Sequence, residues 1–433
     1  MRDLWALRLQ KLQTRVTEDS ETDTEAASSR MFSSQSEGES GTDAETAISA
    51  RRRQASRKKD GGPGLTDILC LIHVGIMLLR IPLTIADLHR WINSGQLLFY
   101  RAGKELPLTM RDRLPGHFQE MLQPQDLVAA DALHRCTLEL LSTLNVDFGM
   151  SPPSLNHPLI LYRWVKELCL PLEIYVAVQR IGRLLHTDFA HSVDAKKRTS
   201  MSLRFPEIRL MTLVVIATKL LFPFDDHKRY PKSSKDLAAL RIDWPLWVVL
   251  QNHGPNAAPG QDKQHHLTFE DSFKMSEADS LELAGERLDE YLDWYEGSIA
   301  SEEVRERGRA GREAEFRRAL FRMFPAHNQR SSDMRARPEI DTSGQTSAEK
   351  VLQVQSSLRT KRIVREEDPD DVPRPGSEHT LYRAEEELGG PIKVFYDKCA
   401  ELAGFSLHGM VRAVFLMERR LMKLGKDGSG LAS

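Results

Sequence analysis

Two stretches of this chain are apolar around nearly their whole helical circumference: residues 65–80 (LTDILCLIHVGIMLLR) and 205–222 (FPEIRLMTLVVIATKLLF). A surface helix shows one apolar stripe, so a helix without a polar face must be enclosed by other helices. Each stretch is followed by shorter amphipathic segments. The pattern predicts two small all-helical units in tandem, each built around one hub helix. Neither hub reads as a membrane span, because Asp67, His73 and Arg80 interrupt the first and Glu207, Arg209 and Lys219 the second. A span needs about 20 predominantly apolar residues, and charges in lipid are costly.

A length of 433 residues allows two or three domains. The first unit is expected over 1–150. It begins with an amphipathic segment, 3–12 (DLWALRLQKL), too short to stand alone, which must pack on something further along. The start MRDLWALRLQ lacks the pattern of a signal peptide. Residues 17–49 are rich in Ser, Thr, Asp and Glu and bury too little apolar area to order. With the basic run that follows, they read as a disordered insertion at about 13–64. Beyond the first hub and Pro82, residues 84–93 (TIADLHRWIN) predict a helix capped by Thr84, with Ile85, Leu88, Trp91 and Ile92 on one face. A further helix is expected over 126–144, and Ser151-Pro152-Pro153 closes the unit.

The second unit is expected over 151–325, with helices at 158–170 and 172–185, the hub, and further pieces at 244–250 and 281–295. A charged helix candidate occupies 302–322. Residues 326–378 are polar and Pro-studded and read as a disordered linker. Residues 379–433 read as a C-terminal helical extension, with helices at 392–403 and 407–424.

Hydrophobic residues make up 40% and charged residues 28%, with a formal net charge of -2. A uniformly cationic nucleic-acid binder is excluded, so any phosphate contact must come from a local patch. The four cysteines, Cys70, Cys136, Cys169 and Cys399, form no CxxC pair and read as free, buried thiols. No catalytic motif is found, so no catalytic residue is assigned. His265-His266 near Asp262 and Glu270 lacks metal-ligand spacing, and no metal site is assigned. His73 and His89, on apolar helices, read as hydrogen-bonded structural histidines. Two basic clusters remain. Arg51, Arg52, Arg53, Arg57, Lys58 and Lys59 fit a nuclear import signal, a DNA-tethering arm or a solubilising loop. Lys196, Lys197, Arg198 and Arg204 precede the second hub, where a helix N-terminus and clustered cations favour phosphate, making them candidate DNA contacts against the alternative of a solvated loop.

Several phrases then resemble one family: 2–10 (RDLWALRLQ), 78–91 (LLRIPLTIADLHRW), 110–115 (MRDRLP), 205–226 (FPEIRLMTLVVIATKLLFPFDD) and 400–421 (AELAGFSLHGMVRAVFLMERRL). They are similar to the RNA polymerase I core-factor subunit related to transcription factor IIB, over nearly the whole chain. The resemblance implies an all-α chain of tandem cyclin-like five-helix folds. Residues 3–12 would be the second helix of the first fold and 65–80 its third; 158 onward would supply the second fold. The family's N-terminal zinc ribbon and the first helix of the first fold have no counterpart here. No zinc or other cofactor is therefore expected, the first fold would be incomplete, and a shortened gene product is expected. The implied role is a nuclear, nucleolar initiation factor without enzymatic activity. It would bind the ribosomal DNA core promoter with other core-factor subunits, away from membranes, and recruit RNA polymerase I, with TATA-binding protein as a further partner. DNA shape rather than a base code would supply specificity. A rival class, a regulatory cyclin that activates a protein kinase, needs the same two helical repeats.

Overall fold

The structure, a computed structural model, describes residues 5–6, 8–10, 64–100, 102–103, 105–124, 126–191, 201–225, 227–252, 267, 269–281, 283, 285–300, 323, 347–365, 372–377 and 379–429. The predicted insertion at about 13–64 and the charged segment 302–322 lie outside them, apart from Gly64.

The first hub is α1 (Leu65–Leu78), which turns its Leu69, Cys70, His73, Val74 and Met77 inward. Asp67 in its first turn accepts the Gly64 N–H at 2.9 Å. The helix ends short of the predicted boundary, and Arg80 takes a left-handed backbone with φ 55°. Helix α2 (Ile85–Asn93) begins at Thr84, whose N–H and hydroxyl both donate to Asp87, at 2.9 and 3.1 Å. Helix α3 (Ala130–Phe148) lies along α1 and ends in a left-handed Gly149. Cys70, Val74 and Met77 interlock with Leu140, Leu141 and Leu144, and Trp5 packs against this group, giving the N-terminal segment its expected seat.

The second hub, α6 (Pro206–Leu221), follows α4 (His157–Glu167) and α5 (Glu173–Leu184). Proline at its first position forfeits no hydrogen bond there. Every α6 residue except Arg209, Leu220 and Leu221 is buried. Helix α7 (Trp244–Asn252) seats Trp247 in the core, where its indole N–H donates to the Leu168 carbonyl at 2.8 Å.

Three later segments sit elsewhere than their local pattern places them. The pieces α8 (Phe269–Lys274) and α9 (Glu286–Ser298), expected within the second unit, pack on the first. Phe269 joins Leu69, Ile85, Ile92, Phe99 and Tyr100, and Trp294 closes over the Phe269 ring at 5.4 Å. Gly95 permits this approach: its φ is +74°, and a Cβ there would sit 3.0 Å from Phe269. Part of the expected linker at 326–378 is ordered structure. Helix α10 (Ser347–Ser357) buries Val354, and β2 (Arg359–Thr360) pairs antiparallel with β1 (Leu240–Arg241). The C-terminal extension is a core layer. Helices α11 (Pro391–Ala403) and α12 (Leu407–Ser429) lie on α6, and Phe395, Tyr396, Cys399, Met410, Val414 and Met417 enter its core. In all three cases an apolar stripe shows that a helix has a buried face, and leaves open which part of the chain covers it.

The hub junction and the candidate phosphate-facing loop

The N-terminus of α6 is where the two units meet. The 3-10 turn Met201–Arg204 leads into it, and Arg209 in its first turns donates to the carbonyls of Asp188 and Ala190. Both ends of the basic loop are thereby held beside the start of the hub. Lys196, Lys197 and Arg198 lie outside the described residues, as do Arg51, Arg52, Arg53, Arg57, Lys58 and Lys59. Arg204 is half-buried and lines a small chamber with His73, His134, His191, Phe205 and Glu207, so its guanidinium flanks the junction.

Within that chamber Glu207 is 2% exposed, although it carries a carboxyl group. Its Oε2 lies 3.3 Å from His134 Nδ1, and its Oε1 lies 3.7 Å from His73 Nε2. The other ring nitrogen of His134, Nε2, is 3.1 Å from the Ala403 carbonyl oxygen at the end of α11. The cluster thus joins α1, α3, α6 and α11. Burial pushes the Glu207 carboxyl up to about 8, because charge is poorly solvated there. Burial also holds His73 down to about 3, and His134 and His191 down to about 4.

A second buried polar group lies at the far end of α6. Lys219 Nζ meets Glu418 of α12 at 2.6 Å and the Thr380 carbonyl at 2.9 Å, beneath the Tyr382 ring. His379 Nε2 approaches the same carboxylate oxygen at 2.9 Å. Between the units, Arg163 of α4 reaches Asp87 at 2.7 Å and the Pro82 carbonyl at 2.8 Å. These contacts clamp helices together. The chamber and the Lys219 cluster are structural in geometry.

His89 bonds the Val128 carbonyl at 2.8 Å, as expected of a structural histidine. His73 departs from that expectation: its Nδ1 is buried, with no hydrogen-bond partner among the described residues. His265, His266 and Asp262 lie outside the described residues, and Glu270 pairs with Lys274 and Asn93. Among the described residues no three His, Cys, Asp or Glu side chains gather as a metal site would require. All four cysteines are free thiols, and the Cys70 thiol donates to the Leu133 carbonyl at 3.9 Å across the α1–α3 contact. No single helix among the described residues is long and apolar enough to cross a membrane.

The sequence reading missed the Glu207–His134–His73 cluster. Each member is a lone polar letter in an apolar helix, and Glu207 registered there only as an interruption. The available signal was that an acid inside a fully enclosed hub requires a partner.

Comparison with known proteins identifies the lineage. The chain is 26% identical over 266 residues to the RNA polymerase I-specific transcription initiation factor rrn7 of Schizosaccharomyces pombe. The match covers 57% of this chain and 49% of that protein, so the chain spans about half the length of the relative it matches. A crystal structure of the S. cerevisiae core factor overlaps 85% of this chain and 82% of its own at 12% identity, with a TM-score of 0.43. Two models of one family match in chain order: the Rrn7/TAF1B N-terminal cyclin domain over residues 1–108 and the C-terminal cyclin domain over 126–299. Helix α3 falls in the second of these spans while lying along the first hub. Together the two models account for well over half of the chain, which is a member of the Rrn7/TAF1B family of tandem cyclin-domain proteins.

Proposed function

We propose that this protein is a subunit of an RNA polymerase I initiation factor that assembles on the ribosomal DNA core promoter. The observation that carries the reading is the ordered pair of family matches, one to each cyclin domain. The fission-yeast relative is itself an RNA polymerase I initiation factor, which supports an assembly role rather than catalysis. The mechanism is scaffolding: two rigid hubs hold loops and helix ends in fixed register for DNA, for other core-factor subunits and for the polymerase, with TATA-binding protein as a further partner. Lys196, Lys197 and Arg198 fall in sequence between His191 and the α6 N-terminus, where cations favour a phosphate backbone. Arg204 supports them from its half-buried position, and Arg51–Lys59 directs the chain to the nucleus and nucleolus. No cofactor is assigned to the chain.

The test is chromatin immunoprecipitation of the protein tagged at its C-terminus from its own locus. Enrichment confined to the ribosomal DNA promoter is expected. Background signal from an expressed nuclear protein, together with a co-purifying kinase dependent on it, would replace this reading with the kinase-activating one. A triple variant, Lys196→Glu, Lys197→Glu and Arg198→Glu, is expected to lower occupancy and flatten its salt dependence by up to about 2.7 in log–log slope. Wild-type occupancy and slope would remove the loop from the DNA contact.

A further inference from the structure

The Glu207–His134 contact constrains the number of protons it holds. His134 Nε2 faces the Ala403 carbonyl at 3.1 Å, and a carbonyl only accepts, so Nε2 carries the hydrogen. The opposite nitrogen, Nδ1, faces Glu207 Oε2 at 3.3 Å. If the ring is neutral, Nδ1 offers a lone pair, and the carboxyl must be protonated to donate to it. If the ring is an imidazolium, Nδ1–H donates to a carboxylate. Either state holds one proton on the pair. The same two groups apart in water near pH 7.5 hold almost none, because a Glu carboxyl loses its proton near 4.3 and an imidazole near 6.5.

We propose that the junction of the two units binds one proton from solvent at the Glu207–His134 pair between α6 and α3, carried on the Glu207 carboxyl, so that the junction is a proton-operated joint. The neutral arrangement is favoured because both groups are 1–2% exposed, where a carboxylate and an imidazolium would each lose their hydration. Each surrounding element contributes a facing group. His73 comes from α1, Asp131 from α3 and His89 from α2 beside His134, His191 and Arg204 from the segment before α6, and Asp87 from α2 with Arg163 of α4 at its back. Asp87 and burial favour the protonated acid, whereas Arg163 and the Ile85 N–H favour its ionised form.

The folded carboxyl titrates at about 8 and an unfolded one at 4.5, so its contribution is complete below 4.5 and lost as pH rises through 8. The histidines act oppositely: held below their usual 6.5, they contribute fully above 6.5 and lose that contribution as pH falls through about 4 for His134 and His191 and about 3 for His73. Stability of the junction therefore peaks near 6.5 and declines on the alkaline side through Glu207.

The experiment is urea unfolding of the full chain at a series of pH values from 6 to 9, for the wild type and Glu207→Gln. The amide of glutamine donates to His134 Nδ1 without titrating. In the wild type the folded-to-unfolded ratio is expected to fall, by at most tenfold per pH unit, between 6.5 and 8. In Glu207→Gln this alkaline limb flattens while the acid limb persists. An unchanged alkaline limb in a folded variant overturns the proposal. Should the variant not fold, infrared titration of the wild type decides: a protonated-carboxyl band present at pH 7 and lost by pH 9 supports the joint, and its absence at pH 7 overturns it.

Discussion

The two hub helices read alike in sequence and are enclosed to different degrees. In α6, thirteen of sixteen residues are buried, and α4, α5, α11 and α12 pack around it. In α1 the buried set is confined to one side, facing α3 and α2, while Ile68 and Ile72 stay 45% and 40% exposed. Among the described residues, four neighbouring helices close a cylinder around α6, whereas α2, α3 and the segment about Trp5 leave an arc of α1 open. An all-round apolar helix therefore reports the greatest enclosure its sequence tolerates, and the supply of neighbours decides how much of that is reached.

Substitutions should separate the two regions. Trp247→Ala, at a fully buried ring packed on Phe395 in the core that α6 shares, is expected to cost about 3–5 kcal/mol, read as a shift in the urea midpoint. A loss under about 1 kcal/mol would mean that the α6 core is looser than its packing indicates. Lys219→Met takes the ammonium from the buried Glu418 carboxylate, leaving His379 as its remaining partner there, and should cost up to about 3–5 kcal/mol, whereas Lys219→Met combined with Glu418→Leu should recover most of it. A double variant no better than the single would show that the pair does not act as a unit. Gly404→Ala tests the link between the units. Its φ is +63°, and a Cβ would fall 3.1 Å from the Ala86 backbone, so a loss of about 2 kcal/mol is expected in thermal unfolding. Ile72→Ala, on the open arc of α1, should move the midpoint by less than about 1 kcal/mol. A loss as large as that of Trp247→Ala would mean that the arc is covered in solution, and the comparison between the hubs would fail.

The elements whose identity is written in neighbouring letters were legible. Both hubs, the Thr84 cap, the break at Pro171 and the final two helices fall within a few residues of their expected limits. Long-range pairing was not. That α8 and α9 return to the first unit, and that α11 and α12 complete the second, depends on contacts between residues far apart in the chain. The basic loop before α6 was legible as charge, and Arg204 took a place beside the junction that charge alone does not indicate. The junction itself was illegible for a related reason. Glu207 and His134 are 73 positions apart, and neither helix shows locally that it needs the other.

The seating of α12 on α6 has a consequence for synthesis. About 190 residues separate the end of α6 from the start of α12. At roughly 5–20 residues per second, a ribosome takes on the order of 10–40 s to deliver the second half of that contact. During this interval α6, buried over most of its length in the finished fold, lacks the layer that later covers one of its faces. The nascent second unit is thus a natural client for chaperones that hold apolar helices, and a chain terminated before residue 407 would remain one.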